Sequence, residues 1–318
     1  MKIAVLGNSR FTVSFIKGLR KVVDNKLILI SLKKKYEPKN SINMKNFAKK
    51  NKITFFQTDN INSKSTYNFL KSSNLDLIIS SWPKIISNKI IDIPKIGTIG
   101  SHPTSLPKNR GRHPLHWLIN MGCKTSHLSF FFMDKSIDGG RLISRYKYYI
   151  KGSENINSLE KKIQKLAFKA CQDVYKKVIK KNFLGSFQNE KASNYLRKRN
   201  ITDLIVNLKM NYQSISKLVN SYSSPYQGAI LIINFEIFRI SKIKKIYGNL
   251  SYNEIGKILK INKSSIVTRC SDSLIRIHLK KPKKNNLKIG KYIYDPSYYS
   301  LKSKNFFKKL DKMFKENQ

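Results

Sequence analysis

The chain has 318 residues; 63 Lys and Arg against 18 Asp and Glu leave a formal charge of +45, while 40% of positions are hydrophobic and 25% charged. Enough apolar residues remain for a core, which excludes a disordered chain, and at about 100–200 residues per domain the length excludes a lone small module and predicts two domains. No apolar run approaches the roughly 20 residues of a membrane helix, and MKIAVLGNSR turns polar too early for a signal peptide, so a cytoplasmic protein with no membrane partner is expected.

From the N-terminus, KIAVL (2–6) ends at Gly7-Asn8 and is followed by an amphipathic stretch from Phe11 to Val22, a strand then a helix. The pattern repeats: KLILISL (26–32), a helix over Met44–Lys50, ITFF (53–56), a helix over Ser65–Ser72, and LDLIISS (75–81). Strands alternating with helices predict an α/β fold with a doubly wound, mostly parallel, Rossmann-like sheet. Gly7 stands alone without GxGxxG, which removes the main support for a dinucleotide site. A helix over 113–122, a strand over 127–134 and a long helix from Ser158 to Lys181 complete this half. The polar stretch 185–200 has no apolar period and reads as a linker. A helix over Tyr212–Ser221 and short strands at AILIIN, FEIFRI, KILKI, SSIVTRC and SLIRIHL follow, as in a small barrel. The expected boundaries are 1–186 for the α/β domain, 187–204 for the linker and 205–318 for the barrel domain.

Cys123, Cys171 and Cys270 are odd in number and far apart, so they read as packed thiols, and no metal site is expected. Of the 63 basic residues 52 are Lys, dispersed along the chain, and this reads as a solvated surface rather than a nucleic-acid footprint. The densest runs are Lys33-Lys34-Lys35, Lys180-Lys181 and Lys280-Lys281 with Lys283-Lys284, none interleaved with aromatics.

Reactive and turn-forming residues concentrate between Gly97 and Pro114, just after the fifth apparent strand. Ligands of doubly wound sheets bind outside the carboxyl ends of the strands, so a site belongs there. Downstream, Asp138-Gly139-Gly140 ends another strand. A histidine and a carboxylate on neighbouring strand ends form an acid–base pair able to move a proton near neutrality.

The run IGTIGSHPTSLPKNRG through FFFMDKSIDGG resembles the formyltransferase family typified by methionyl-tRNA formyltransferase, with its Asn-x-His, SLLP, RG and LDTGD motifs. YLRKRNITDL, SPYQGAILI and the strands from ILKIN to LIRI extend the resemblance to nearly the whole chain and imply a C-terminal OB-like barrel. The resemblance implies transfer of the formyl group of 10-formyltetrahydrofolate to a primary amine, with His102 and Asp138 handling the proton. Folate is expected against Trp82, Ile85, Ile86 and the Ser105-Leu106-Pro107 loop, and the acceptor near Arg110, Arg112 and Arg141.

Three departures stand out. Gly100 replaces the family Asn whose amide holds the formyl oxygen, so a substitute donor is expected from Ser101, Thr104, His113 or a backbone N–H. RGAAP becomes Arg110-Gly111-Arg112-His113-Pro114, and the last Asp of LDTGD becomes Arg141. Two added guanidiniums fit a phosphorylated acceptor, which points first to a nucleotide-linked amino sugar. Initiator Met-tRNA is the second reading, weakened by a short loop at 33–46. A formyltetrahydrofolate hydrolase and a non-catalytic binding descendant come after it.

Overall fold

A computed structural model describes residues 1–23, 27–38, 40–251, 253–280 and 287–315. Lys26, at the head of the second apolar run, and Lys281, Lys283 and Lys284 of the last basic run lie outside the described residues. The chain divides into two compact units: Met1–Pro114 with Thr125–Tyr149 and Glu160–Arg197, and Leu115–Lys124 with Ile150–Leu159 and Lys198–Gln318.

The first unit is built on β1 (Ile3–Leu6), β2 (Leu27–Leu32), β3 (Thr54–Thr58), β4 (Leu77–Ser80) and β5 (Gly97–His102). After the two-residue β6 (Arg110–Gly111) come β7 (Thr125–Phe132) and β8 (Leu142–Tyr149). All but β6 form one sheet in the order β3-β2-β1-β4-β5-β7-β8. The first five strands are parallel, and β7 and β8 run antiparallel. β1 and β4 are buried at every residue, as strands covered on both faces must be. The crossovers are α1 (Arg10–Leu19), α2 (Met44–Lys50), α3 (Lys64–Ser72) and the short α4 (Asn88–Ile91). Asn43 and Ser63 start α2 and α3 by accepting the N–H of Asn46 and Thr66.

The order reverses between β1 and β4, so their carboxyl ends open the crevice where such sheets bind ligands. Gly7 is required there. Its φ is +153°, and a Cβ would lie 2.3 Å from Thr12 Oγ1 and 2.4 Å from Ser81 Oγ, a pair that joins α1 to the end of β4 by a 2.8 Å hydrogen bond.

The predicted strands and helices of this unit are present with shifted ends. The long helix is α6 (Ile156–Tyr175), continued by one π-helical turn over Lys176–Lys180. β8 has no counterpart in the sequence pattern; it is the sheet's edge, and its two buried residues, Ile143 and Tyr148, lie an odd number of positions apart among half-buried and exposed ones, which leaves a weak period. The polar linker is not featureless. It holds a 3₁₀ turn at Glu190–Ala192 and the two-residue β9 (Tyr195–Leu196), parallel to β6.

The second unit holds an antiparallel sheet of five strands: β10 (Ile230–Ile233), β11 (Glu236–Ile246), β12 (Lys260–Asn262), β13 (Ser265–Arg269) and β14 (Leu274–Lys280), in the order β10-β11-β14-β13-β12. Ile275, Ile277 and Leu279 join Phe238, Ile240 and Ile243 in a core with Ile215, Leu218 and Val219 of α7 (Tyr212–Ser221). On the opposite face, Ile230, Ile232 and Ile237 pack with Tyr299 of α8 (Pro296–Lys302) and Leu310 of α9 (Lys304–Lys315), two helices that the apolar pattern did not announce. α5 (Pro114–Met121) places His116 and Trp117 in this unit, where the Arg199 guanidinium lies 5.0 Å from the Trp117 ring and 4.5 Å from that of Tyr222.

Candidate active site

The site starts at the carboxyl end of β5. Pairing in β5 puts Gly100 opposite Phe131, and strand alternation turns Gly100 and His102 to one face and Ser101 to the other. His102 is 5% exposed. Its Nε2 lies 2.9 Å from the Asn109 carbonyl and its Nδ1 3.5 Å from Asp138 Oδ2. A carbonyl only accepts, so Nε2 carries a proton and Nδ1 is the ring atom facing the carboxylate. Asp138 Oδ2 also accepts the Gly111 N–H at 3.0 Å. Of the two side chains Asp138 is the more open, 21% against 7%.

The loop from 103 to 109 is fastened from within. Thr104 donates its hydroxyl to the carbonyls of Lys108 and Asn109, and Tyr148 and Arg145 donate to those of Pro103 and Leu106. Ser105 is 2.8 Å from His127 Nδ1, whose ring burial and the neighbouring Arg145 and Lys147 hold below the ordinary imidazole value, so it accepts the hydroxyl proton. Asn109, His113 and Asp138 all have left-handed backbones, φ +61°, +53° and +54°. Asn, His and Asp tolerate that region better than most residues, at a cost of about 1–3 kcal/mol each that the surrounding bonds must hold.

Arg110 organises the far side. Its side chain is buried and donates both guanidinium ends to Glu190, at 2.8 and 2.7 Å, and also to Tyr195 and Gln188. The Glu190 hydrogen bonds push Arg110 up against the opposing effect of burial, and hold Glu190 below the usual carboxylate range. The strand pair β6–β9 and the Asn109–Asn194 side-chain bonds fix the same loop.

Several expected residues therefore serve the scaffold. Arg110 is closed off by its own partners and does not present its guanidinium to an acceptor. Thr104 and Leu106 are 0% exposed and Ile86 4%, the last packed in the cluster around Ile90 and Ile91, so none offers its side chain to a ligand. Ile85 is 72% exposed and stands free, with its carbonyl held by Asn62. Trp82 is half-buried and its Nε1 is a buried donor with no acceptor among the described residues. Ser101 Oγ donates to the Ser80 carbonyl at 3.4 Å, on the face away from His102, while Pro107 and His113 are half-buried. Arg112 is exposed, and Arg141, also exposed, lies 4.5 Å over the Phe187 ring.

Gly100 is packed, not vacant. A Cβ there would meet Phe131 Cζ at 2.7 Å and Met133 Cγ at 2.9 Å, so these two side chains fill the place where an Asn side chain would start. Gln188, Glu190, Asn194 and Tyr195, within the stretch whose polarity predicted a linker, hold Arg110 and Asn109 and are not singled out by the sequence pattern. Their only sequence signal is polarity without a period.

The family model "Formyl transferase" matches residues 1–175, and "Formyl transferase, C-terminal domain" matches 200–294. The chain belongs to the formyl transferase family. The bifunctional polymyxin resistance protein ArnA of Wigglesworthia glossinidia brevipalpis is 28% identical over 229 residues, 72% of this chain but 34% of ArnA, so the chain spans about a third of that relative. The methionyl-tRNA formyltransferase of Clostridioides difficile strain 630 is 25% identical over 252 residues, 79% of this chain and 81% of that one. Among solved structures, the N-formyltransferase from Helicobacter canadensis, complexed with folinic acid and dTDP-3-aminofucose, aligns with TM-score 0.67 and 17% identity over 88% of this chain and 100% of that one. Among the described residues no helix is long and apolar enough to cross a membrane, and no group of three or more His, Cys, Asp or Glu is placed to hold a metal.

Proposed function

We propose that this formyltransferase moves the formyl group of 10-formyltetrahydrofolate to the primary amine of a nucleotide-linked amino sugar. The observation that carries formyl transfer is the His102–Asp138 pair at the carboxyl end of β5, backed by the Asn109 carbonyl and the Gly111 N–H. When the amine nitrogen bonds to the formyl carbon it must lose a proton. Asp138, the more open member, is the group that reaches that nitrogen. His102 Nδ1 stands behind it to share the proton and return it to the departing folate nitrogen as the intermediate collapses. The exposed Ile85 and the half-buried Trp82 beyond the end of β4 supply an apolar surface for a folate ring.

The acceptor assignment rests on Arg112 and Arg141. Both are exposed, one immediately after the Gly111 that holds Asp138 and one three residues beyond Asp138, and guanidiniums grip diphosphate oxygens bidentately. The Helicobacter enzyme, solved with a dTDP-amino sugar, supports the same class.

One observation favours Met-tRNA as a second reading. On the C-terminal sheet, register puts Arg239, Lys242 and Lys244 of β11 beside Lys280, His278 and Arg276 of β14 on the face opposite the α7 core. β12, β13 and β14 contain no carboxylate, and alternation turns Glu236 of β11 to the other face. Dispersed lysines in the sequence thus gather into one basic surface suited to a polyanion. Single-turnover assays with 10-formyltetrahydrofolate decide between them: faster tetrahydrofolate release with dTDP-linked amino sugars than with Met-tRNA is expected, and the reverse order at physiological salt overturns the acceptor assignment.

A further inference from the structure

Asp138 stands on a turn that the Asp134 carboxylate secures at its start, by accepting the Ser136 N–H at 2.8 Å. Its backbone is left-handed, and the glycines after it press against neighbours: a Cβ on Gly139 would lie 2.4 Å from Ser136 Oγ and 3.2 Å from Arg110 Nη1, and one on Gly140 would lie 1.8 Å from the Phe132 carbonyl oxygen. The far half of the turn therefore leans on Ser136, on Arg110 and on the end of β7, with two inward carbonyls, those of Asp138 and Gly140, needing donors. Gln188 supplies both. Its Nε2 donates to the Asp138 carbonyl at 3.0 Å and the Gly140 carbonyl at 2.8 Å, while its Oε1 accepts from Arg110 Nη2 at 2.9 Å. Arg110 is in turn clamped by Glu190, two residues beyond Gln188.

We propose that Gln188 is a positioning residue for Asp138: it locks the Asp138–Gly140 turn to the buried Arg110, so that the carboxylate stays on the Gly111 N–H and against His102. This rests on the formyl-transfer reading of that pair. The amide does what no other side chain of similar size does. It donates twice to the turn and accepts once from a cation. A carboxylate of the same shape keeps the bond to Arg110 but turns two attractive contacts into repulsive ones. The role of the turn is thereby separable from the role of the Arg110 cluster.

The experiment compares the full chain with Gln188→Glu, and with the apolar isostere Gln188→Met should the first fold poorly. Three amides of one loop report position without any activity. Gly111 N–H is bonded to Asp138, whereas Arg110 N–H and Arg112 N–H are bonded to the Asn194 and Leu196 carbonyls. Hydrogen exchange of Gly111 is expected to quicken at least about tenfold in Gln188→Glu with Arg110 and Arg112 still protected. With an amino-sugar nucleotide and 10-formyltetrahydrofolate, kcat is expected to fall about 10- to 100-fold with KM for the folate unchanged. Unchanged Gly111 exchange, loss of all three amides together, or a wild-type kcat in a variant that has freed Gly111 each overturns the proposal. Failure of the wild type to transfer formyl to any amine overturns the formyl-transfer reading instead, and the Gly111 measurement still decides where Gln188 holds Asp138.

Discussion

The active-site loops and the C-terminal sheet handle charge in opposite ways. Around β5, charged groups are paired: the buried Arg110 with the exposed Glu190, and His102 facing Asp138. On β11 and β14, six cationic or titratable groups share a face with no carboxylate on β12, β13 or β14. Burial pushes Arg239 down, and Lys280 is pushed down by burial and by Arg239. Paired charge holds a geometry, whereas unpaired like charge on a surface weakens the fold slightly and leaves free energy for an outside polyanion. Net charge alone therefore says little about function; what matters is whether each charge already has a partner.

The largest effect expected is at the paired end. Asp138→Asn and His102→Ala should each lower formyl transfer by about 10²–10⁴-fold, with circular dichroism unchanged. Retention of more than about a tenth of the wild-type rate would remove that residue from proton handling.

The next test concerns the packed Gly100. Gly100→Asn should lower both activity and melting temperature, since overpacking costs about 1–3 kcal/mol and Phe131 and Met133 must move. Pairing it with Met133→Ala removes one of the two clashes and leaves space into which the Phe131 ring can shift. No gain over wild type is expected from the pair. A rise of about 10²–10³-fold would mean that the amide was simply missing and nothing had replaced it.

A smaller effect is expected at the unpaired end. Arg276→Ala should reduce the slope of log affinity against log salt for a model RNA by about one and leave formyl transfer to a small amine unchanged. An unaltered slope would show that this face does not meet the polyanion.

The smallest effect is a pH dependence. Burial, followed by the charges of Lys244, Arg276 and Lys242, holds His278 below the ordinary imidazole value, so the free protein keeps the ring neutral at about pH 7. A bound polyanion favours the protonated ring. Binding then takes up a proton, and affinity rises as pH falls from about 7 toward 5. His278→Ala should flatten that rise, as titration of RNA binding at fixed salt would show.

The paired site around β5 is partly legible in the amino-acid sequence. Gly7 and His102 sit at strand ends and Asp138 in the turn between β7 and β8, where the apolar runs stop and glycine or polar residues begin, and topology makes those places a site. Gln188 and Glu190 are not legible: residues that bond to backbone carbonyls and to a buried Arg look the same in sequence as residues that bond to water. β6 and β9, two residues each, carry no period at all. Ile85 and Ile86 are neighbours of one type, and only the fold sends one to solvent and the other into the core. The basic face is present in the alternation of LIRIHLK, where every second residue from Arg276 is basic, but lysines throughout the chain obscure it.

Everything proposed for the paired end depends on the Asp138–His102 pair taking the proton of an attacking amine. The decisive measurement is single-turnover release of tetrahydrofolate from 10-formyltetrahydrofolate, with and without an amino-sugar nucleotide. Release should require the amine and be lost in Asp138→Asn. Release at the same rate without amine, or amine-dependent release that survives Asp138→Asn, would show that the pair does not take that proton.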